Sequence, residues 1–442
     1  MNINSNSFKN KFNISIVFLG FVTFLYFVKL VVLSNGYLIN QYPFISPDGF
    51  DWITEGLYLS EAIKGNFFDG VLPVARPPFF VFITAIDAFL GQTGIFIWLI
   101  NSIAFFATGY LGLLLIKYKE QSNWFNTIFL IALLLAPVNY VRLWMLSDAI
   151  TVSLSLATVY YLYQHQNFDS LKQIIFASFL IAIAGSSQIY GMMLPLIYLG
   201  TLFLFSFSNK EIIKRQIIFL VVLSLVMYAI INYLWFQFIP HGMTPKNFVL
   251  LKLSFDMFWF YFHTWGFYFF PFLPLLLLIG SLKKNEYIKD VFLVSLWLAV
   301  LVFMTLCFVY QWQESRFTFM FWYVLVIAIF RSSLYLKLEY ELFRVKIYTV
   351  VSTLIFLQTF FMSIPNEWRP DLKHISISPA TWITSLIVAK PVDRFELDSG
   401  CGSVKLFCDD AIVNGDDYVQ SVLSIYKDIK LRNKYEIDNQ IK

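Results

Sequence analysis

Long apolar runs separated by short polar segments dominate the first 364 residues of the chain. A helix needs roughly 17 to 25 apolar residues to cross the hydrocarbon core of a membrane. The runs that meet or approach this length are 14–33, 95–116, 124–140, 147–163, 172–186, 190–207, 216–236, 257–280, 290–310, 317–336 and 346–364. The pattern therefore predicts an all-α polytopic membrane protein with eleven candidate spans.

One further apolar run is too short to cross a membrane. It extends from Phe79 to Leu90, and Asp87 interrupts it. This run predicts a juxtamembrane or re-entrant helix inside a large first loop, 34–94. Earlier in the same loop, the segment that begins at Pro47 predicts an amphipathic helix along the membrane surface.

The basic residues between the spans predict the orientation of the chain. With eleven spans and a cytoplasmic N-terminus, most of these residues fall on the cytoplasmic side, as the positive-inside rule requires. They are Lys9, Lys11, Lys117, Lys119, Lys172, Lys210, Lys214, Arg215, Lys283, Lys284, Lys289, Lys337, Arg344 and Lys346. A single extra span at 79–90 would reverse this bias, whereas two extra spans would preserve it. We therefore expect about 11 to 13 transmembrane helices and an extracytoplasmic C-terminus.

The first apolar run, 14–33, follows two lysines and could be mistaken for a secretory signal. It lacks a small-residue cleavage site and is about as long as a full span. We therefore predict that it is retained as the first transmembrane helix of a multi-pass protein of the bacterial plasma membrane.

Composition supports the membrane assignment and divides the chain. Of all residues, 58% are hydrophobic and 14% are charged, whereas roughly 25% charged residues are usual in soluble domains. From about residue 365 the aromatic runs stop and Asp, Lys, Ser and Gly return. This change predicts a membrane domain at 1–364 and a small soluble extracytoplasmic region at 365–442. The net charge of +4 includes no basic block, which argues against a nucleic-acid partner.

The C-terminal region contains Cys401 and Cys408. An oxidising extracytoplasmic compartment would allow a disulfide between them, but two cysteines at this spacing leave the question open. The chain has four histidines, and they are too widely spread to predict a zinc enzyme. A divalent metal cofactor is not excluded, but the sequence does not indicate one.

The first loop carries the residues that are best suited to chemistry. Asp48 and Asp51 are three residues apart, so a helix that begins at Pro47 places them on one face, which Glu55 continues. Carboxylates held at the membrane interface could bind a metal or accept a proton from a substrate hydroxyl. The structural alternative is that Asp48 only caps the helix, since Asp is favoured at that position.

Arg76-Pro77-Pro78 follows in the same loop and places a guanidinium at the membrane edge. Two prolines restrict the direction of the chain there. An arginine in this position can bind a phosphate through two parallel hydrogen bonds. The alternative is that Arg76 only anchors the chain to lipid headgroups.

The order of these features resembles the C-type (GT-C) glycosyltransferases that use polyprenyl-phosphate sugars. This group includes the bacterial aminoarabinose transferases and the protein O-mannosyltransferases. The specific part of the resemblance lies between residues 46 and 91. In that family the first loop commonly carries Asp-Glu, whereas Asp48 is followed by Gly49 here. The resemblance implies that Asp48 is the catalytic carboxylate and that Asp51 replaces the missing acidic partner.

Two later segments are also similar to this family. Residues 146–149, Leu-Ser-Asp-Ala, resemble its small-residue and acidic entry to a span, and residues 314–317, Glu-Ser-Arg-Phe, resemble its Arg-aromatic entry to a late span. The resemblance implies that Arg76 and Arg316 bind the phosphate of the donor. The implied candidates for contacts to the sugar or the acceptor are Glu55, Arg142, Asp148 and Tyr190.

These expectations combine into one functional hypothesis. The protein would move a sugar from a polyprenyl-phosphate donor to a glycan, lipid or protein acceptor on the extracytoplasmic face, with Asp48 as general base. A polysaccharide polymerase or ligase is the closest alternative. A lipid or glycan transporter is less favoured, because transporters place ionisable residues near the bilayer midplane, whereas the charges of this chain are expected at one rim.

Overall fold

The computed structural model describes residues 5–34, 47–65, 76–90, 94–117, 121–134, 147–205, 211–238, 290–309 and 319–335, with a few positions at 272 and 346–354. Within these ranges all regular structure is helical. The helices, numbered in chain order, are α1 (Ser5–Ser34), α2 (Pro47–Ile63), α3 (Pro78–Phe89), α4 (Ile95–Leu115), α5 (Asn123–Leu134), α6 (Asp148–Gln164), α7 (Leu171–Ser187), α8 (Met193–Phe205), α9 (Glu211–Phe238), α10 (Val291–Val309) and α11 (Phe319–Ser332). Short 3₁₀ turns follow α7 at Ile189–Met192 and α11 at Ser333–Tyr335.

The helices match the apolar pattern of the sequence closely. Nine of them, all except α2 and α3, lie at predicted spans. Of the predicted span at 257–280 the structure describes only position 272, and of the span at 346–364 it describes only a few positions before 355. By length and composition, α4 and the Ile213–Gln237 part of α9 could each cross a membrane, and the apolar stretches with described side chains in the other helices are 10–17 residues long. These two candidate spans differ in burial, because 56% of the α4 window is buried but only 17% of the α9 window.

Helix α11 lies at the centre of the bundle. Every residue from Phe319 to Ser332 is buried, and the helix packs against α10 and α5. Helix α4 packs on α1 and α6, and its glycines allow a close approach to α5. A Cβ atom at Gly112 would lie 2.8 Å from Leu133 Cδ2. Small residues at such contacts are typical of helices packed inside a membrane.

The two helices of the first loop form where the sequence predicts them. Helix α2 begins at Pro47, and α3 is a 12-residue helix with Pro78 in its first turn, where the fixed φ of proline suits a helix start. The side chain of Asp87, near the end of α3, accepts hydrogen bonds from the backbone N–H groups of Gly94 (3.0 Å) and Phe96 (3.2 Å) at the start of α4. The residue that interrupts the apolar run therefore connects α3 to the next helix.

Helices α2 and α3 cross at very short range. A Cβ atom at Gly56 would lie 2.7 Å from Thr84 Cβ and 2.8 Å from the backbone nitrogen of Ala85. The Thr84 hydroxyl donates a hydrogen bond to the carbonyl oxygen of Trp52 at 2.8 Å. Since α3 also contacts α7 and α9, this crossing fixes α2 on the end of the bundle and holds the segment before α3 next to it.

The predicted boundary at residue 365 and the pair of cysteines in the C-terminal region lie outside the described residues. The division into 1–364 and 365–442 stays a prediction.

Candidate active site

The bundle has two chemically different ends. Helices α4 and α6 both start at one end, which carries Gly94, Asp148 and the α2–α3 pair, and we call it the Asp148 end. Both helices finish at the other end, which carries Leu115, Tyr163 and Arg331, and we call it the Arg331 end. With a rise of about 1.5 Å per residue, the two ends of α6 are roughly 25 Å apart. Residues at the two ends therefore belong to separate sites.

Asp48 and Asp51 both lie on α2, close to its start. Their positions three residues apart on one helix agree with the register that the sequence predicts. Their side chains are not among the described ones, so the role of each carboxylate stays a prediction.

Glu55, one turn further along α2, has a well-defined partner. Its side chain is 1% exposed, and both carboxylate oxygens accept the backbone N–H of Arg76, at 2.8 and 3.1 Å. Hydrogen bonds to an ionised acceptor are roughly twice as strong as neutral ones. Glu55 therefore holds the main chain of the arginine that the sequence predicts to bind phosphate.

Two tryptophans complete the surroundings of Arg76. The indole N–H of Trp235, on α9, donates to the carbonyl oxygen of Arg76 at 2.9 Å. The guanidinium carbon of Arg76 lies 5.9 Å from the ring centroid of Trp52, within the range of a cation–π interaction. The peptide groups on both sides of the Arg76 Cα are thus bonded to different helices, while the side chain is only half-buried.

Asp148 and Tyr190 meet at the same end of the bundle. The hydroxyl of Tyr190 donates a hydrogen bond to a carboxylate oxygen of Asp148. Asp148 is the first residue of α6, where the positive end of the helix dipole stabilises a carboxylate. The structure therefore brings together two candidate substrate contacts that are 42 residues apart in the sequence.

A second layer of hydrogen bonds supports this pair. The Gln188 amide donates to the Ser147 hydroxyl at 2.6 Å, and the Thr151 and Ser187 hydroxyls are 3.0 Å apart. Thr151 and Ser147 belong to the first turns of α6, and the other two residues end α7. The two helix ends are therefore held in a fixed relation beneath Asp148 and Tyr190.

The remaining predicted site residues, Arg142 and Arg316, lie outside the described residues. Among the described residues no group of three or more His, Cys, Asp or Glu side chains is placed to hold a metal ion.

A buried ion pair at the Arg331 end corrects one expectation from the sequence. Arg331 donates to Asp290 through Nε at 2.8 Å and through Nη2 at 3.1 Å. Charged residues within the helical bundle therefore occur at both ends and not at one rim alone. The signal was present in the sequence, because Arg331 is a charged residue inside a predicted span.

No protein-family model and no curated protein sequence matches this chain. The fold is nevertheless similar to that of ArnT from Cupriavidus metallidurans. The crystal structure of ArnT bound to undecaprenyl phosphate superimposes with a TM-score of 0.52 at 13% identity, over 93% of this chain and 75% of that chain. The structure of ArnT in the apo state gives the same TM-score at 14% identity and the same coverage.

This likeness supports the fold that the sequence predicts, because it shows that the chain has an all-helical fold similar to that of ArnT. At such low identity it does not test the role of any single residue. Sequence reasoning missed the contacts of Glu55 and Trp235 with Arg76, because these residues are 21 and 159 positions from it and no periodic pattern links them.

Proposed function

We propose that this protein is a membrane glycosyltransferase that uses a polyprenyl-phosphate sugar as donor. The observation that supports this most directly is the position of Arg76, which Glu55 and Trp235 hold at one end of an ArnT-like fold. Of the two ArnT structures, one contains bound undecaprenyl phosphate. A polyprenyl-phosphate lipid is therefore the donor class that the fold supports.

The acceptor in this proposal is a glycan, lipid or protein of the cell envelope, and the reaction takes place on the extracytoplasmic face. Nucleotide sugars are made in the cytoplasm and do not diffuse through hydrocarbon, so an enzyme on the outer side needs a donor that is carried by a lipid. The positive-inside rule supports this orientation of the Asp148 end.

The proposed mechanism is a single displacement at the anomeric carbon. Asp48 accepts the proton of the acceptor hydroxyl, whose oxygen forms the new bond to the sugar as the bond to the donor phosphate breaks. The lipid phosphate leaves with the bonding electron pair, and Arg76 and Arg316 stabilise its charge. Attack opposite the phosphate inverts the configuration of the sugar.

The remaining candidates have supporting roles in this proposal. Asp148 and Tyr190, joined by their hydrogen bond, would bind hydroxyl groups of the sugar or acceptor, as would Arg142. Asp51 would stand beside Asp48 in place of the acidic neighbour that the GT-C family commonly has. Glu55 would act mainly through Arg76, because its carboxylate is buried against the backbone of that residue.

The test is transfer by the purified protein, with labelled polyprenyl-phosphate sugars as donors and membrane extracts as acceptors. Because a general base typically contributes about 10²- to 10⁴-fold in rate, Asp48→Asn should lower turnover by that factor. Asp169→Asn makes the same change at an exposed position between α6 and α7 and should leave turnover unchanged. If the folded wild-type protein transfers no sugar from any such donor, or if Asp48→Asn retains full turnover, the proposal is wrong.

A further inference from the structure

The Arg331 end of the bundle contains a cavity of about 360 Å³. It lies between the ends of four helices, α4, α6, α10 and α11, and its polar lining consists of Lys117, Tyr163, Gln166, Asp290, Arg331 and Tyr335. Ligand sites in proteins usually range from roughly 300 to 1,000 Å³. The cavity is therefore large enough for a small headgroup, and none of the lining residues that the structure describes belongs to the proposed active site.

Hydrogen bonds join the polar side chains at the floor of the cavity. Arg331 is 1% exposed and donates to Asp290 and, at 3.2 Å, to the hydroxyl of Tyr163. The hydroxyl of Tyr335 donates to the same carboxylate of Asp290 at 2.9 Å. Because Asp290 balances Arg331, the charge of Lys117 is left in excess, and the lining is positive by one unit.

Lys117 has an unusual backbone conformation. Its φ of 56° lies in the left-handed region, where glycine is the usual residue just after the end of a helix. A side chain at such a position is disfavoured, and residues kept there against this cost cluster at functional sites. The strained conformation places Lys117 at the wall of the cavity, where it supplies the one positive charge that Asp290 does not balance.

The position of the cavity indicates the source of its ligand. It lies where several predicted spans begin or end, so it is level with lipid headgroups. The start of α10 is part of its wall, and Asp290 already caps that helix by accepting the backbone N–H of Leu293 at 3.2 Å. The positive-inside rule assigns this end to the cytoplasmic leaflet. Basic pockets between transmembrane helices on that side are known to bind anionic lipid headgroups.

We propose that this cavity binds the phosphate headgroup of an anionic phospholipid, with Lys117 as the residue that selects for negative charge. The bound lipid would link the ends of α4, α6, α10 and α11 at the face opposite the proposed active site. This site does not depend on the glycosyltransferase proposal and can be tested without any enzymatic assay.

The experiment measures the Tm of the purified full-length protein in detergent as phosphatidylglycerol, phosphatidylcholine or inorganic phosphate is added. A ligand that binds the folded state raises Tm. We expect phosphatidylglycerol to raise the Tm of the wild-type protein by several degrees and the other two additions to have little effect. An equal rise with phosphatidylcholine would overturn the selection for negative charge, and an equal rise with inorganic phosphate would overturn the need for a lipid.

Three variants separate this site from general attraction to a basic surface. Lys117→Gly removes the charge and suits the left-handed backbone, so the protein should fold well while the rise with phosphatidylglycerol is lost. Lys117→Gln should lose the same rise. Lys172→Gln removes an equal charge from an exposed position in the first turn of α7 and should retain it. If Lys117→Gly keeps the full rise in Tm, the cavity is not the binding site.

Discussion

Each end of the bundle contains a carboxylate that is mostly shielded from solvent and an arginine bonded to it, but the two carboxylates bind different parts of their arginines. At the Arg331 end, Asp290 binds the guanidinium of Arg331 directly and cancels its charge where the helices end. At the Asp148 end, Glu55 accepts the backbone N–H of Arg76 with both carboxylate oxygens, and the arginine side chain is only half-buried.

The difference separates a structural arginine from one suited to binding. The guanidinium of Arg331, which donates to the Asp290 carboxylate and to the main-chain carbonyl oxygen of Leu115, stabilises the packing of helices. An arginine that is fixed by its main chain has a defined position and can still direct its charge toward a phosphate. The following changes test this comparison, from the largest expected effect to the smallest.

Arg331→Met should destabilise the protein most. Removing one partner of a buried ion pair costs roughly 3 to 5 kcal/mol, because the other charge is left buried. Thermal unfolding in detergent would show the loss. Adding Asp290→Asn to Arg331→Met should restore part of the Tm, since no isolated charge then remains. Transfer per folded molecule should stay near that of the wild type, and a selective loss of turnover would contradict a purely structural role.

Glu55→Ala should act mainly on the proposed reaction. The buried N–H of Arg76 would lose its acceptor, at a cost of roughly 1 to 3 kcal/mol, and the main chain before α3 would no longer be fixed. If this free-energy cost raises the energy of the transition state by the same amount, kcat/KM falls by about 5- to 150-fold. Glu55→Gln keeps one acceptor oxygen and should recover much of the loss. A Glu55→Gln protein as impaired as Glu55→Ala would indicate that the charge contacts substrate directly.

Gly56→Ala should weaken the attachment of α2 to α3. The added Cβ would lie 2.8 Å from the backbone nitrogen of Ala85, so the helices must move apart, at a cost typically of about 1 to 3 kcal/mol. Weaker packing of α2 on α3 should make the first loop more sensitive to limited proteolysis and should lower the Tm. Gly20→Ala is the matched control, since nothing lies within 4 Å of a Cβ there. Equal Tm values for both variants would mean that the crossing is looser than the structure shows.

Tyr190→Phe should have the smallest effect of the four. It removes one hydroxyl that donates to Asp148 and leaves the ring in place. Since a net hydrogen bond contributes roughly 0.5 to 1.5 kcal/mol, turnover should fall by about 2- to 10-fold with little change in Tm. Tyr233→Phe, on the exposed part of α9, serves as control. If the two variants are equally active, Tyr190 has no part in the reaction.

The sequence predicted the helices better than the contacts between them. Apolar length located α4 and α9, and the proline at residue 47 located the start of α2. These features depend on neighbouring residues and are therefore visible in one sequence. The contact of Glu55 with Arg76 depends on how the chain folds back between α2 and α3, which no local pattern records.

The function of buried charges was the hardest part to predict. Asp87 was recognised only as an interruption of an apolar run, but it caps α4. Arg331 lay within a predicted span without a visible partner, because Asp290 is 41 residues away. An isolated charge in an apolar run indicates that a partner exists, and only the fold identifies which residue it is.

The hydrogen bond from Trp235 to Arg76 has a practical consequence. Trp235 belongs to α9, and only 17% of the spanning window of that helix is buried, so much of its apolar surface would contact lipid or detergent. The arginine proposed to hold the donor is thus coupled to a helix that is sensitive to bilayer thickness and to the choice of solubilising agent. Reconstitution conditions should be treated as a variable of catalysis and not merely as a means of keeping the protein in solution.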